Sequence, residues 1–193
     1  MQSICVFCGS NFGVRADYEA AAAALGRLIA WRGLKLVYGG AKVGLMGALA
    51  DAALSAGGDV HGVIPRALID RELAHGGLTH LEIVASMHER KARMAEVADG
   101  FVALPGGAGT LEEIFEVWTW AQLGLHAKPV GFLNVAGYYD RLIGFLDQAV
   151  AEEFIRPALR DMLVFETTGE GLLDRFRTYR APSQTKWIGK HET

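Results

Sequence analysis

Two kinds of apolar run take turns along this chain. Short unbroken runs end at glycine or proline, and longer stretches repeat an apolar residue every three or four positions. The first kind reads as buried strand and the second as amphipathic helix. Ser3 to Cys8 predicts a strand closed by Gly9-Ser10-Asn11. The alanine-rich run Tyr18 to Trp31 predicts a helix capped at Asp17 and stopped by Gly33. A second strand, Leu34 to Tyr38, runs into Gly39-Gly40 and a glycine-rich turn to Gly47, and a helix continues to Ser55. Strands follow at Asp59 to Ile64 and Leu81 to Ala85, separated by an irregular stretch, Arg66 to His80. A helix over Ser86 to Ala98 opens with the capping box Ser86-x-x-Glu89. Gly100 to Leu104 reads as strand and Leu111 to Leu125 as helix. Then come a strand at Pro129 to Leu133, a helix at Tyr138 to Ala151, a strand at Leu163 to Phe165 and a helix at Gly171 to Tyr179.

Strands that alternate with helices and lack polar alternation predict a parallel sheet covered on both faces. The fold expected is α/β: a single-domain, Rossmann-like, doubly wound sandwich over residues 1–180, followed by a polar tail, 181–193. No break in composition marks a second domain, and no solenoid repeat is present. Such sheets bind ligands at the C-terminal ends of strands, at a topological switch point. Three strand ends carry glycine and small polar residues: Gly9-Ser10, Gly39-Gly40 and Gly106-Gly107. Their convergence on one crevice would suit a phosphorylated nucleotide.

The richest of these ends is Leu104-Pro105-Gly106-Gly107-Ala108-Gly109-Thr110-Leu111-Glu112-Glu113. A strand ends, glycines turn the chain, and a helix begins. The first turn of a helix has unpaired N–H groups and a dipole that favours negative charge. Glycines let those groups approach a bulky phosphate. A plainer reading also stands, because Thr110-x-x-Glu113 fits a capping box. The standard nucleotide motifs fail. Gly39 to Gly44 has the two glycines of a P-loop, but Leu45-Met46 follow where Lys and Ser/Thr are needed. The dinucleotide pattern beginning at Gly107 meets Glu112 where its last glycine belongs.

Composition narrows the class. The chain has 193 residues, 51% hydrophobic and 21% charged, which suits one globular domain with a sizeable core. A formal charge of −3, with no basic arm, argues against a nucleic-acid partner. No apolar run approaches a membrane span and the N-terminal run lacks the pattern of a signal peptide, so a cytoplasmic protein without a membrane partner is expected. Cys5 and Cys8 spell C-x-x-C, but they lie inside a strand and three residues apart, on opposite faces. Buried strand cysteines are expected there, not a redox pair. His88-Glu89 lacks the second histidine of a zinc helix, so no metal is expected.

Two charged residues carry the chemistry. On the helix after the glycine loop, Ile114, Val117, Trp118, Ala121 and Leu125 make an apolar stripe, and Glu113 borders it. Partial burial would raise its pKa and suit acid–base work. Trp120 and Leu123 extend apolar surface almost round the helix, which points to a homodimer contact. Arg90 lies one turn from Met87 and Met94 and needs an anionic partner: Glu113, another carboxylate or a substrate phosphate. The alternative is a snorkelling surface arginine.

Pro105-Gly106-Gly107-x-Gly109-Thr110-x-x-Glu113 resembles the P-G-G-x-G-T-x-x-E signature of the LOG ("Lonely Guy") family, the cytokinin riboside 5′-monophosphate phosphoribohydrolases. Further segments agree: Cys8-Gly9-Ser10, Gly39-Gly40-x-x-x-Gly44-Leu45-Met46-Gly47, Ile64-Pro65, Met87-His88-x-Arg90-Lys91 and Thr119 to Gly124. The label "lysine decarboxylase", common for bacterial members, finds no support in these residues. The resemblance implies hydrolysis of the N-glycosidic bond of an adenine-type nucleoside 5′-monophosphate, as in an AMP nucleosidase, with no cofactor. It implies Arg90 and Glu113 as catalytic residues. It implies a substrate site built from Ser10, Gly39, Gly40, Met46, Glu72, Lys91, Gly106, Gly107, Ala108, Gly109, Thr110, Leu111, Glu112 and Thr119, with some contacts from a second subunit. The rival readings are a non-catalytic nucleotide-binding module and a nucleotide phosphotransferase, against which the missing P-loop lysine counts.

Overall fold

The computed structural model describes residues 1–69 and 73–182. Its strands are β1 (Ser3–Phe7), β2 (Lys35–Tyr38), β3 (Val60–Pro65), β4 (His80–Val84), β5 (Phe101–Ala103), β6 (Val130–Leu133) and β7 (Leu163–Glu166). Its helices are α1 (Ala16–Trp31), α2 (Gly44–Ser55), α3 (Arg66–Ile69), α4 (Met87–Val97), α5 (Ala108–Gln122), α6 (Asp140–Ala151), α7 (Pro157–Arg160) and α8 (Gly169–Thr178). The strands form one sheet in the order β4-β3-β2-β1-β5-β6-β7, and all pair in parallel. This is the doubly wound sandwich expected. The chain builds outwards from β1 to one edge, returns, and builds outwards from β5 to the other. The switch point therefore lies between β1 and β5, where the strand ends diverge and leave a crevice.

Residues of β1 explain the two-sided burial. Ile4 and Val6 pack with Leu25, Ile29, Leu45, Leu49 and Phe176 on one face. Cys5 and Phe7 pack with Met94, Phe101, Ile114, Val117 and Trp118 on the other. Both cysteines are free and buried, and they fall in the two opposite clusters. Among the described residues no helix is long and apolar enough to cross a membrane.

The differences from expectation lie at element ends. α1 starts at Ala16 after Arg15, and no side chain caps it; Asp17 sits in its first turn and bonds Arg15 instead. The stretch after β3 holds the short α3, and Ala74 bridges to Ala41. α7 begins at Pro157, whose fixed φ favours a first helical turn. The tail beyond 182 lies outside the described residues.

Candidate active site

The crevice forms where the loops after β1 and β5 meet. The Gly9 N–H donates to the Pro105 carbonyl at 3.0 Å, and the Leu45 N–H at the start of α2 donates to the Gly9 carbonyl at 3.1 Å. Two strand ends and one helix start are thereby stitched together. The crevice holds about 330 Å³, at the small end for ligand pockets. Its floor and walls are Cys8, Gly9, Ser10, Met46, Met87 and Arg90, with Gly107 to Thr110 and Glu112-Glu113 of α5 opposite.

α5 begins three residues earlier than its apolar pattern predicts. Its N-cap is Gly107, which has no side chain to offer, so the capping-box reading of Thr110 and Glu113 is corrected. Among the described residues no acceptor meets the N–H groups of Gly107, Ala108 and Gly109. A β-carbon at Gly107 or Gly109 would meet nothing within 4 Å, so both face open crevice. At Gly106 the reverse holds, because a β-carbon would fall 2.1 Å from the Thr110 hydroxyl oxygen. Glycine is required there by close packing, and the neighbouring glycines leave the donors uncovered.

Glu113 is released from capping and pairs with Arg90. Arg90 Nη2 donates to Glu113 Oε1 at 2.9 Å, and both side chains are about 90% buried. Nη1 of the same guanidinium points at the Met87 sulfur at 3.6 Å, and Nε is buried without a partner among the described residues. Burial pushes the Glu113 carboxyl above its ordinary value, and the Arg90 charge offsets part of that rise. Gly39 makes the pair possible from below: a β-carbon there would lie 2.3 Å from Arg90 Nη2. Cys8 sits at the same floor with its thiol pKa pushed well up by burial, so it is an inert wall.

The neighbouring cation behaves differently. Lys91 is buried, and its ammonium bonds Glu112 and, at 3.1 Å, Glu116. Desolvation works to lower the Lys91 pKa, but the two carboxylates outweigh it and raise it. Lys91 is thus held on the outer side of the α4–α5 contact and does not line the crevice. Gly40 has φ +73 and packs on Ile64 and Leu81, with its carbonyl accepting the His75 N–H at 2.9 Å; it supports the floor from outside. Leu111 is half-buried against the core. Thr119 is exposed and donates to the Phe115 carbonyl at 2.8 Å, about three turns away from the loop. Glu72 lies outside the described residues. Of the residues implied by resemblance, the structure therefore brings Ser10, Met46, Arg90, Gly107 to Thr110 and Glu113 into one crevice, with Glu112 at its rim.

Residues 46–176 match the family described as "Possible lysine decarboxylase". The chain is 49% identical over 187 residues to rice LOGL6, a probable cytokinin riboside 5′-monophosphate phosphoribohydrolase, across 97% of this chain and 74% of that protein. It is 49% identical to cytokinin riboside 5′-monophosphate phosphoribohydrolase LOG3 of Arabidopsis thaliana, across 91% of this chain and 82% of that protein. The chain belongs to the LOG family. Its fold also matches that of the molybdenum cofactor carrier protein of Chlamydomonas reinhardtii, with a TM-score of 0.69 at 20% identity over 92% of this chain and 96% of the other.

The LOG signature now has a physical meaning in this chain. Within Pro105 to Thr110, Gly107, Ala108 and Gly109 supply N–H donors that meet no acceptor among the described residues, and Glu113 follows one helical turn later, facing the same crevice. The decarboxylase wording in the family description suits Lys91 poorly. An imine-forming lysine needs a free amine, whereas Lys91 is held protonated by two carboxylates. Reading the sequence alone missed the Lys91–Glu112–Glu116 cluster. Its trace was there: Glu112 and Glu116 are four apart on one helix face.

Proposed function

We propose that this LOG-family chain is a phosphoribohydrolase. It hydrolyses the N-glycosidic bond of adenine-type nucleoside 5′-monophosphates, cytokinin riboside monophosphates and AMP among them, to free base and ribose 5-phosphate. The observation that carries the reading is the buried Arg90–Glu113 pair beside a row of unpaired backbone donors. Phosphate on the donors of Gly107, Ala108 and Gly109 fixes the ribose against Glu113. The C1′–N bond to the base breaks through an oxocarbenium-like state, whose positive charge the Glu113 carboxylate stabilises. A water oxygen bonds to C1′ and passes its proton to Glu113, which gives it up through solvent as the departing base takes one up, so the carboxylate is restored. Arg90 holds the carboxylate in place with one nitrogen and keeps a buried donor, Nε, unspent. Met46 and Met87 wall the crevice with adaptable apolar side chains that suit a purine.

A homodimer belongs to the same reading. Ile114, Val117, Trp118 and Ala121 are buried within one chain, while Phe115, Trp120, Leu123 and Leu125 of the same helix region stay half-buried. A second copy would complete their burial and bring groups to the rim near Glu112. A cytoplasmic setting fits a nucleotide substrate.

The test is base release. AMP, N6-isopentenyladenosine monophosphate, GMP and CMP are each incubated with pure protein, and the products are separated by chromatography. Free adenine-type base with equimolar ribose 5-phosphate is the expected result. Binding of AMP, read as a raised melting temperature, with every nucleotide recovered intact would reduce the chain to a binding module.

A further inference from the structure

The donor row of the crevice is only useful if its peptides point the right way, and the peptide between Gly106 and Gly107 is the least able to hold itself. Glycine on both sides makes a peptide flip cheap, because neither residue resists positive φ. Alanine cannot stiffen position 106, since a β-carbon there would also lie 2.9 Å from the Gly9 nitrogen. Any restraint must come from outside the loop.

The structure supplies it as three consecutive carbonyl contacts. The Leu104 carbonyl accepts the Tyr139 hydroxyl at 2.6 Å. The Pro105 carbonyl accepts the Gly9 N–H at 3.0 Å. The Gly106 carbonyl accepts the Tyr138 hydroxyl at 2.6 Å. In a planar trans peptide the C=O and the following N–H point in opposite directions. Pinning the Gly106 carbonyl to Tyr138 therefore turns the Gly107 N–H, at the crevice wall, away from the Tyr138 hydroxyl.

The tyrosines are themselves well fixed. They follow β6 on a turn in which Ala136 adopts φ 51. The Asn134 side chain accepts the Tyr139 N–H at 2.7 Å and donates to Asp140 at 2.7 Å. The Tyr138 ring sits edge-on against Tyr18 at 5.6 Å and against Tyr139 at 5.0 Å. Yet Tyr138 remains 41% exposed, so it is not there to fill the core.

We propose that Tyr138 is a positioning residue for anion binding: its hydroxyl latches the Gly106–Gly107 peptide so that the Gly107 N–H is presented to the substrate phosphate. This rests on the phosphate-binding role proposed above for the loop. The latch acts on ground-state binding of the phosphate, so it governs KM more than kcat. Tyr139 makes the contrast, because the residue after Leu104 is Pro105, which has no N–H to aim. Its hydroxyl steadies the loop without presenting a donor.

The experiment compares the wild-type chain with Tyr138→Phe and Tyr139→Phe by calorimetric titration of inorganic phosphate and adenosine, and of AMP with each chain also carrying Glu113→Gln so that AMP is not turned over. Tyr138→Phe keeps both ring contacts and loses only the hydroxyl. It should weaken AMP and phosphate about fivefold, the share of one neutral hydrogen bond, and leave adenosine unchanged. In turnover it should raise KM by the same factor with kcat within twofold. Tyr139→Phe should lower the melting temperature while AMP affinity holds. Equal weakening of AMP and adenosine by Tyr138→Phe, unchanged AMP affinity, or a wild-type chain that binds no phosphate would each overturn the proposal. Base release separately decides the reaction, so AMP binding that depends on Tyr138 without hydrolysis would sink the hydrolase reading and keep the latch.

Discussion

Arg90 and Lys91 are neighbours on α4, both are buried, and both pair with carboxylates of α5, yet they do different jobs. Arg90 meets one carboxylate that is itself buried, inside the crevice, and keeps a buried nitrogen without a partner. Lys91 meets two carboxylates, one of them more than half exposed, and lies off the crevice. The first pair leaves a buried donor without a partner among the described residues, behind the crevice wall. The second spends its capacity on joining two helices. Burial of a charge is therefore a poor guide to function by itself, and the unspent donor is a better one.

The sharpest way to break this contrast is at Glu113. Glu113→Gln keeps shape and loses the charge, and base release should fall by about a thousandfold while the far-ultraviolet dichroism is unchanged. Arg90→Lys should lose about a hundredfold, because an ammonium cannot replace the planar fork. A drop of less than tenfold in either variant would remove the pair from the mechanism.

The pH dependence sharpens the comparison next. Burial raises the Glu113 pKa, so the folded chain holds this proton more tightly than the unfolded one. Its contribution to stability is full below the ordinary carboxylate pKa and is lost as pH rises through the raised value. Turnover needs the ionised form and should rise over that same window. Melting temperature and kcat measured across the acid range should therefore move in opposite directions, and Glu113→Gln should abolish the Glu113-dependent part of both trends.

Smaller effects follow. Gly39→Ala should displace the Arg90 guanidinium and cut turnover by about tenfold with little change in melting temperature. Lys91→Met should cost about 1 kcal/mol, because exposure of Glu112 screens its partner, and should reduce turnover less than tenfold. A metal chelator should leave the rate unchanged, since the charge chemistry rests on Glu113, Arg90 and backbone donors.

How much of this was legible before the structure follows from the same residues. The alternation of apolar strands with helices carried the sheet, and the glycine-ended strands β1 and β5 carried the crevice. Glu113 was visible at the border of the α5 stripe, and Arg90 through its place between Met87 and Met94. The start of α5 was not, because Gly107, Ala108 and Gly109 have no apolar periodicity and the cap is made by a glycine backbone. Gly39 under Arg90, and Tyr138 on the Gly106 carbonyl, are contacts across long stretches of chain. Short-range pattern carries no trace of such pairs, so a glycine just past a strand end reads the same whether it supports an arginine or touches a ligand.

In the proposed reaction Glu113, oriented by Arg90, drives water onto the anomeric carbon of a phosphate-anchored ribose. The most direct measurement follows one limiting charge of N6-isopentenyladenosine monophosphate on wild-type and Glu113→Gln protein, with free base and ribose 5-phosphate both quantified over time. Equimolar release of the two products by the wild type, and near-complete recovery of intact nucleotide from the variant, is the expected result. Equal release by both proteins, or release of base without ribose 5-phosphate, would contradict it.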